Sequence, residues 1–183
     1  LTQSSGQVNG YINVKGKLLS PEVNLNLQLN NGKTTLAAMG TTFSNINLHL
    51  RGSPENYLIN GSLNSEPGKL VIQGSAHTQN KHFISQLTLQ GENFKLFNTN
   101  EYNVSISPRL MLNSNNQNLS LTGQILIPSA NITPLDYSST IELPEDVIIL
   151  GQAIQRSSFF NIDYKTTVTI GDNVNLAIDG LKG

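Results

Sequence analysis

The sequence predicts an all-β protein built as a long antiparallel meander of many short strands. Apolar and polar residues alternate along most of the chain, and turn-forming residues recur at intervals of roughly 8–12 residues. Only 13% of the 183 residues are charged, whereas 24 are Asn, a composition typical of strands and turns. The single segment with helical tendency, residues 152–158, is too short to form a stable helix alone and is interpreted as a loop or a single turn.

The clearest strand pattern lies at residues 23–29, where Val and Leu occupy every second position between Asn and Gln. A period of two gives a strand one apolar and one polar face. The same pattern is found at residues 46–50, 87–89, 104–106, 119–121, 168–170 and 174–178. Buried parallel strands would instead be continuous apolar runs joined by crossover helices, so antiparallel pairing is predicted.

Turn-forming residues separate these strands. Gly and Pro preset turn conformations, and Asn accepts positive φ, so clusters of them predict reversals of the chain. The clusters lie at residues 30–33, 51–54, 66–68, 90–93 and 113–116, and a hairpin tip is predicted between His77 and His82.

Composition excludes several classes of function. The chain has 11 Lys and Arg against 12 Asp and Glu, which argues against nucleic acid as a partner. It has no Cys and therefore no disulfide, thiolate metal site or thiol nucleophile. No run of about 18 apolar residues predicts a transmembrane helix. The absence of Trp and the 6% aromatic content argue against the aromatic girdles of outer-membrane barrels.

No pattern of catalytic or metal-binding residues is found. His49 occupies a polar position between two leucines and is predicted to face solvent, while His77 and His82 lack carboxylates at ligand spacing. Nucleophile motifs and phosphate-binding glycine loops are missing, and the only acidic cluster, at residues 142–146, favours no reaction. We therefore predict no catalytic residues, no metal and no cofactor.

Six segments resemble, in order, the C-terminal region of the TamB family, whose wider relatives are the AsmA-like bridge proteins. They are residues 16–23, 61–74, 104–110, 123–134, 145–149 and 170–181, which include Gly-Lys-Leu-Leu-Ser-Pro-Glu-Val, Gly-Gln-Ile-Leu-Ile-Pro and Ile-Gly-Asp-Asn-Val-Asn-Leu. Each string alone is common. Six of them in the family's order are specific.

The resemblance implies a sheet curled along its length into a half-open trough, or β-taco, with an aliphatic concave face. It implies the periplasmic part of an inner-membrane-anchored protein that bridges the two membranes of a Gram-negative envelope. The implied partner is the outer-membrane barrel TamA, and the implied roles are phospholipid transport and outer-membrane protein assembly. Residues 1–183 are expected to be one segment of that trough, excised from a larger protein.

A trough of this kind would shield the acyl chains of phospholipids. The residues expected to line it are Val23, Leu25, Leu27, Leu29, Ile46, Leu48, Leu50, Leu87, Leu89, Leu110, Leu112, Leu119, Leu121, Val168, Ile170, Val174, Leu176 and Ile178.

Three alternatives remain open. The same residues could form an ordinary closed core between two sheets. The protein could be a closed β-sandwich that binds partners through its surface. Finally, an open sheet edge could template strands of unfolded outer-membrane proteins by strand addition.

Overall fold

Eleven strands and one short 3₁₀ helix make up the part of the chain that the structure, a computed structural model, describes: residues 4–18, 20–79, 82–134, 161–178 and 181–182. The elements are β1 (Ser4–Lys17), β2 (Ser20–Leu36), the 3₁₀ helix (Ala37–Met39), β3 (Thr41–Ser53), β4 (Asn56–Ser65), β5 (Gly68–Gln79), β6 (His82–Glu92), β7 (Phe94–Asn98), β8 (Tyr102–Asn115), β9 (Asn118–Ile132), β10 (Asn161–Ile178) and β11 (Leu181–Lys182).

The strands form one sheet that is not closed. Their order is β1-β2-β3-β4-β5-β6-β8-β9-β10-β11, and β7 branches from this path by pairing with β8. From β1 to β9, every pair of neighbours is antiparallel. The predicted all-β meander is therefore confirmed. The described strands do not form the two facing sheets that the closed-core and closed-sandwich alternatives require.

The prediction of antiparallel pairing throughout is wrong for β9 and β10, which run parallel from Asn161 beside Asn118 to Leu176 beside Ile132. A parallel pair needs a connection of a dozen residues or more. The 28 residues between Ile132 and Asn161 provide that length. The expectation for residues 152–158 lies outside the described residues.

The prediction of a turn at residues 30–33 is also wrong, because β2 continues through them to Leu36. The register between β2 and β3 shifts on both sides of Gly32, and Asn31 has a φ of 51°. Asn tolerates positive φ better than most residues, so it can accommodate the extra residue of a β-bulge without ending the strand. Asn45 of β3, with a φ of 48°, lies at the matching shift.

The other predicted turns are confirmed at Pro54–Glu55, Glu66–Pro67, Asn93 and Asn116–Gln117. β5 and β6 pair through Gln79 and His82 and so flank residues 80–81, which lie outside the described residues.

Little of the described sheet is buried. Its buried hydrophobic residues are Phe43, Ala76, Phe94 and Ala130. The rings of Phe43 and Phe94 stack with centroids 5.5 Å apart and bring β7 against β3. Most aliphatic side chains of the strands are half-buried or exposed, since no second layer of described residues covers them.

Candidate functional site

Two rows of mainly aliphatic residues cross the sheet from strand to strand. Pairing in the ladder defines the first row, because directly paired residues project from the same side of a sheet. In chain order it contains Leu27, Leu50, Ile59, Gly74, Leu87, Leu112 and Leu121. Gly10 of β1 and Tyr164 of β10 continue it at the two ends.

The second row lies two residues away from the first in every strand, always toward the same end of the sheet, and is about 6.6 Å from it. It contains Leu29, Leu48, Gly61, Ile72, Leu89, Leu110 and Gly123, with Val8 and Thr166 at its ends. Nine of the eighteen residues predicted from the sequence lie in these two rows. The register therefore brings together leucines from β2, β3, β6, β8 and β9.

The remaining predicted residues lie beside the two rows. Leu25 is paired with Gly52, and Leu119 with Ile162. In β10 the pairs are Val168 with Ile125, Ile170 with Ile127, Val174 with Ala130 and Leu176 with Ile132. Val23 is paired with Val14, Ile46 with Gly32 and Ile178 with Leu181.

Sequence reasoning missed Ile59 and Ile72, which belong to the rows. Leu58 precedes Ile59, and Val71 precedes Ile72, so neighbouring apolar residues conceal which of the two belongs to the period of two. In β1, Gly10 interrupts an alternation that includes Val8 and Ile12. A search for alternating apolar residues that also accepted Gly at apolar positions would have found β1, β4 and β5.

Glycines in the rows make room for leucines of the neighbouring strands. A Cβ atom at Gly61 would lie 3.1 Å from Cδ1 of Leu48, and one at Gly74 would lie 2.7 Å from Cδ2 of Leu87. These leucine side chains therefore lie across the backbone of the next strand. The glycines are part of the rows' packing and do not interrupt it.

The aliphatic residues remain accessible, and charged residues are kept apart from them. Leu48 is 40% exposed and Ile170 is 67% exposed. Neither row contains a charged residue. Lys69 of β5 pairs with Glu92 of β6, and Lys69 precedes Leu70 in the strand, so this charged pair projects from the other side.

His49 lies between Leu48 and Leu50 and belongs to that other side. Its Nε2 atom is 2.9 Å from Oδ1 of Asn26 and 3.5 Å from Nε2 of Gln28, within a network of neutral polar groups. Among the residues that the structure describes, no group of three or more His, Cys, Asp or Glu side chains could hold a metal ion. The acidic cluster at 142–146 lies outside them.

Tyr57 reaches across β3 to a backbone carbonyl of β2. Its hydroxyl donates a hydrogen bond of 2.8 Å to the oxygen of Val23. Burial, and secondarily the nearby carboxylate of Glu55, raises the pKa of Tyr57. A hydrogen bond from the Ser53 hydroxyl lowers the pKa of Glu55 itself.

The fold and the rows together define a class of protein: an open, mostly antiparallel β-sheet whose aliphatic residues are aligned across strands. The chain belongs to the TamB C-terminal domain family, whose model matches residues 64–183. This confirms the resemblance found in the sequence.

Comparison with curated proteins gives a more distant relative over nearly the whole chain. The chain is similar to the translocation and assembly module subunit TamB of Haemophilus influenzae, with 25% identity over 193 residues. The match covers 97% of this chain but only 15% of that protein's length. No solved structure matches the chain. In the described part, no helix has the length and apolar character needed to cross a membrane.

Proposed function

We propose that this chain forms part of a periplasmic trough that shields phospholipid acyl chains in transit between the inner and outer membranes. The observation that supports this most strongly is the alignment of accessible aliphatic residues in two rows that contain no charge. The rows cross nine strands, and at about 4.8 Å per strand they extend about 38 Å. Such a surface offers an acyl chain continuous apolar contact.

The hydrophobic effect provides the driving force. Exposing a methylene group to water costs about 0.8 kcal/mol, so a sixteen-carbon chain in water carries a penalty on the order of 12 kcal/mol. Contact with Leu and Ile side chains would remove much of this penalty without a specific binding geometry. The eighteen predicted lining residues, together with Ile59 and Ile72, are proposed to provide that contact.

Register shifts support a trough over a flat sheet. They occur in β2 and β3 near Asn31 and Asn45, and again between Ser105 and Ser107 of β8 and between Ile170 and Asn173 of β10. When the residue pairings are followed from strand to strand, these positions lie at about the same height along the strands. Bulges bend the strands that contain them, so a line of bulges would crease the sheet along the rows.

Membership of the TamB family supports a role for this chain in the translocation and assembly module. By analogy with the family, the whole protein would be anchored in the inner membrane of a Gram-negative bacterium. It would act with the outer-membrane barrel TamA and support the assembly of outer-membrane proteins. Residues 1–183 would then be one segment of a longer trough.

The test places a charge in the first row of the full-length protein. With Leu121→Asp, we expect less phospholipid to copurify, as measured by mass spectrometry, and slower transfer of labelled phospholipid between membranes. Thr122→Asp is the matched control, because Thr122 pairs with Met111 on the other side of the sheet. Equal lipid binding and transfer by a folded Leu121→Asp protein and by its control would refute the proposal.

A second candidate function is strand templating at the sheet edge. All fourteen residues of β1 are exposed, and its pairing among the described strands is with β2. Asn13→Pro in β1 should impair assembly of outer-membrane proteins and leave phospholipid binding unchanged if this edge accepts strands. Normal assembly in that variant would contradict templating by β1.

A further inference from the structure

A polar cavity lies at the rim of the sheet, where β3 passes the end of the β4–β5 hairpin and meets β7. Its volume is about 340 Å³, a size that suits a small polar ligand. The charged side chains that line it are those of Lys33, Glu66 and Lys95. Two cations and one carboxylate therefore border the same cavity.

The floor of this cavity is buried and hydrogen-bonded. Thr41 of β3 is 2% exposed and Ser65 of β4 is 1% exposed, and both line the cavity. The Thr41 hydroxyl lies 3.1 Å from the carbonyl oxygen of Leu96. The Ser65 hydroxyl donates a hydrogen bond of 2.6 Å to the carbonyl of Lys95. Because these bonds join β3 and β4 to β7, contacts between strands shape the cavity.

Lys95 is held in position by a chain of amide side chains. Its Nζ atom donates a hydrogen bond of 2.6 Å to Oδ1 of Asn103. The Nδ2 atom of Asn103 donates in turn to Oδ1 of Asn98, which also lines the cavity. An ammonium group has three hydrogens to donate, so two remain for a ligand. Lys95 therefore presents a fixed positive charge.

The other two charged side chains reach the cavity from elsewhere in the fold. Lys33 belongs to β2, and Glu66 lies in the turn between β4 and β5. Both residues are exposed, so their side chains are free to adjust to a ligand. The cavity thus combines one fixed cation with a cation and a carboxylate that can adapt.

Apolar residues connect this rim with the two rows. Ser65 follows the alternation of Gly61 and Leu63 in β4, and Gly61 belongs to the second row. The step from Ser65 to Gly61 measures about 13 Å along the strand. Within it, Leu63 pairs with Leu70 of β5. A molecule with its polar end at this rim could therefore lay an apolar chain on the rows.

We propose that this cavity binds the headgroup of a zwitterionic phospholipid of the phosphoethanolamine type. The inference rests on the proposed lipid transport. The phosphate lies between Lys33 and Lys95, because ammonium groups form strong charge-assisted hydrogen bonds with phosphate oxygens. The amine of the headgroup pairs with the carboxylate of Glu66. A headgroup without an amine leaves that carboxylate unpaired beside the phosphate, so the cavity favours phosphatidylethanolamine over phosphatidylglycerol.

The test measures this preference in the full-length protein. Detergent-solubilised protein is incubated with mixed micelles that contain equal amounts of phosphatidylethanolamine and phosphatidylglycerol, and both bound lipids are quantified by mass spectrometry. We expect the parent to bind at least threefold more phosphatidylethanolamine. Glu66→Gln should lower that ratio at least threefold. Lys33→Gln combined with Lys95→Gln should lower the total of both lipids. Lys69→Gln is the matched control and should behave as the parent, because Lys69 pairs with Glu92 and does not line the cavity.

The outcomes separate the headgroup site from the proposed function. An unchanged ratio and total in the Glu66 and lysine variants overturns the site, and the acyl surface still stands if Leu121→Asp reduces bound lipid. If Leu121→Asp has no effect either, both proposals are wrong. Binding of water-soluble glycerophosphoethanolamine is measured in parallel. Variants that weaken it but leave the lipid ratio unchanged would assign the cavity to a soluble phosphoester and overturn the lipid site. Because the ratio is taken within one sample, a lower yield of folded protein does not alter it.

Discussion

Removing the ring of Phe94 should destabilise the protein far more than removing the ring of Phe83, although both rings project from the same side of the sheet. Phe94 is 4% exposed and stacks on Phe43, which is 9% exposed. Truncation of a buried Phe to Ala costs about 3–5 kcal/mol because transfer and cavity terms add. Phe83 of β6 is 50% exposed, so Phe83→Ala should cost only about 1 kcal/mol.

A double-mutant cycle isolates the ring pair itself. Phe43→Ala and Phe94→Ala are combined, and the two rings should be coupled by about 0.5–1.5 kcal/mol beyond their separate burial. Native-state hydrogen exchange at the amides of β3, β4 and β7 measures the local free energy of opening in each variant. This readout is preferred to global unfolding because β7 can open without loss of the sheet.

Two results would refute this reasoning. A coupling free energy below about 0.3 kcal/mol, within the usual additivity of independent sites, would show that the stacked rings do not stabilise the contact. Equal effects of Phe94→Ala and Phe83→Ala would show that β7 is not packed as the structure places it.

Three further changes test other contacts by hydrogen exchange or urea unfolding. Gly123→Ala should destabilise by about 1–3 kcal/mol, since Gly123 has a φ of 133° and an added Cβ atom would clash with the Arg109 backbone oxygen. Gly61→Ala should cost less, because the tightest contact of its Cβ atom would be with the flexible end of Leu48. Ser65→Ala removes the hydrogen bond that the buried Ser65 hydroxyl donates to the Lys95 carbonyl and should cost about 1 kcal/mol, and full stability of that variant would contradict the contact between β4 and β7. Tyr57→Phe should cost about 1 kcal/mol near neutral pH. Because the folded-state pKa of Tyr57 is raised, its contribution is complete below the unfolded value near 10 and is lost as pH rises through the folded value, so the variant and the parent should converge at high pH. A difference independent of pH would contradict the assigned hydrogen bond.

The sequence predicted the strands of the meander because their alternation is local and strict. Leu25, Leu27 and Leu29 could be assigned to one side from β2 alone. The sequence could not show that Leu27 pairs with Leu50, because register depends on tertiary pairing. The bulge at Asn31 was misread as a turn since Asn-Gly is compatible with both.

The contact between Phe43 and Phe94 was hidden from sequence reasoning for a different reason. Phe43 and Phe94 are separated by 51 residues and lie in segments whose alternation is interrupted, by Asn45 in one and by Asn93 in the other. The sequence also could not show that β10 runs parallel to β9, because the direction of a strand that follows a long connection is not set by any local pattern. In each case a contact distant in sequence decides the structure.

The stability of this sheet and its proposed function depend on different groups. Each strand is held mainly by backbone hydrogen bonds to its neighbours, and few hydrophobic side chains are buried. A protein whose aliphatic side chains formed its core could not offer them to a lipid without unfolding. Here Leu48 is already 40% exposed, so replacing it by a charged residue removes little burial from the folded state. A charge at Leu48 should therefore abolish lipid contact while the ladder persists, and this separation makes loss of lipid transfer in such variants interpretable as loss of function.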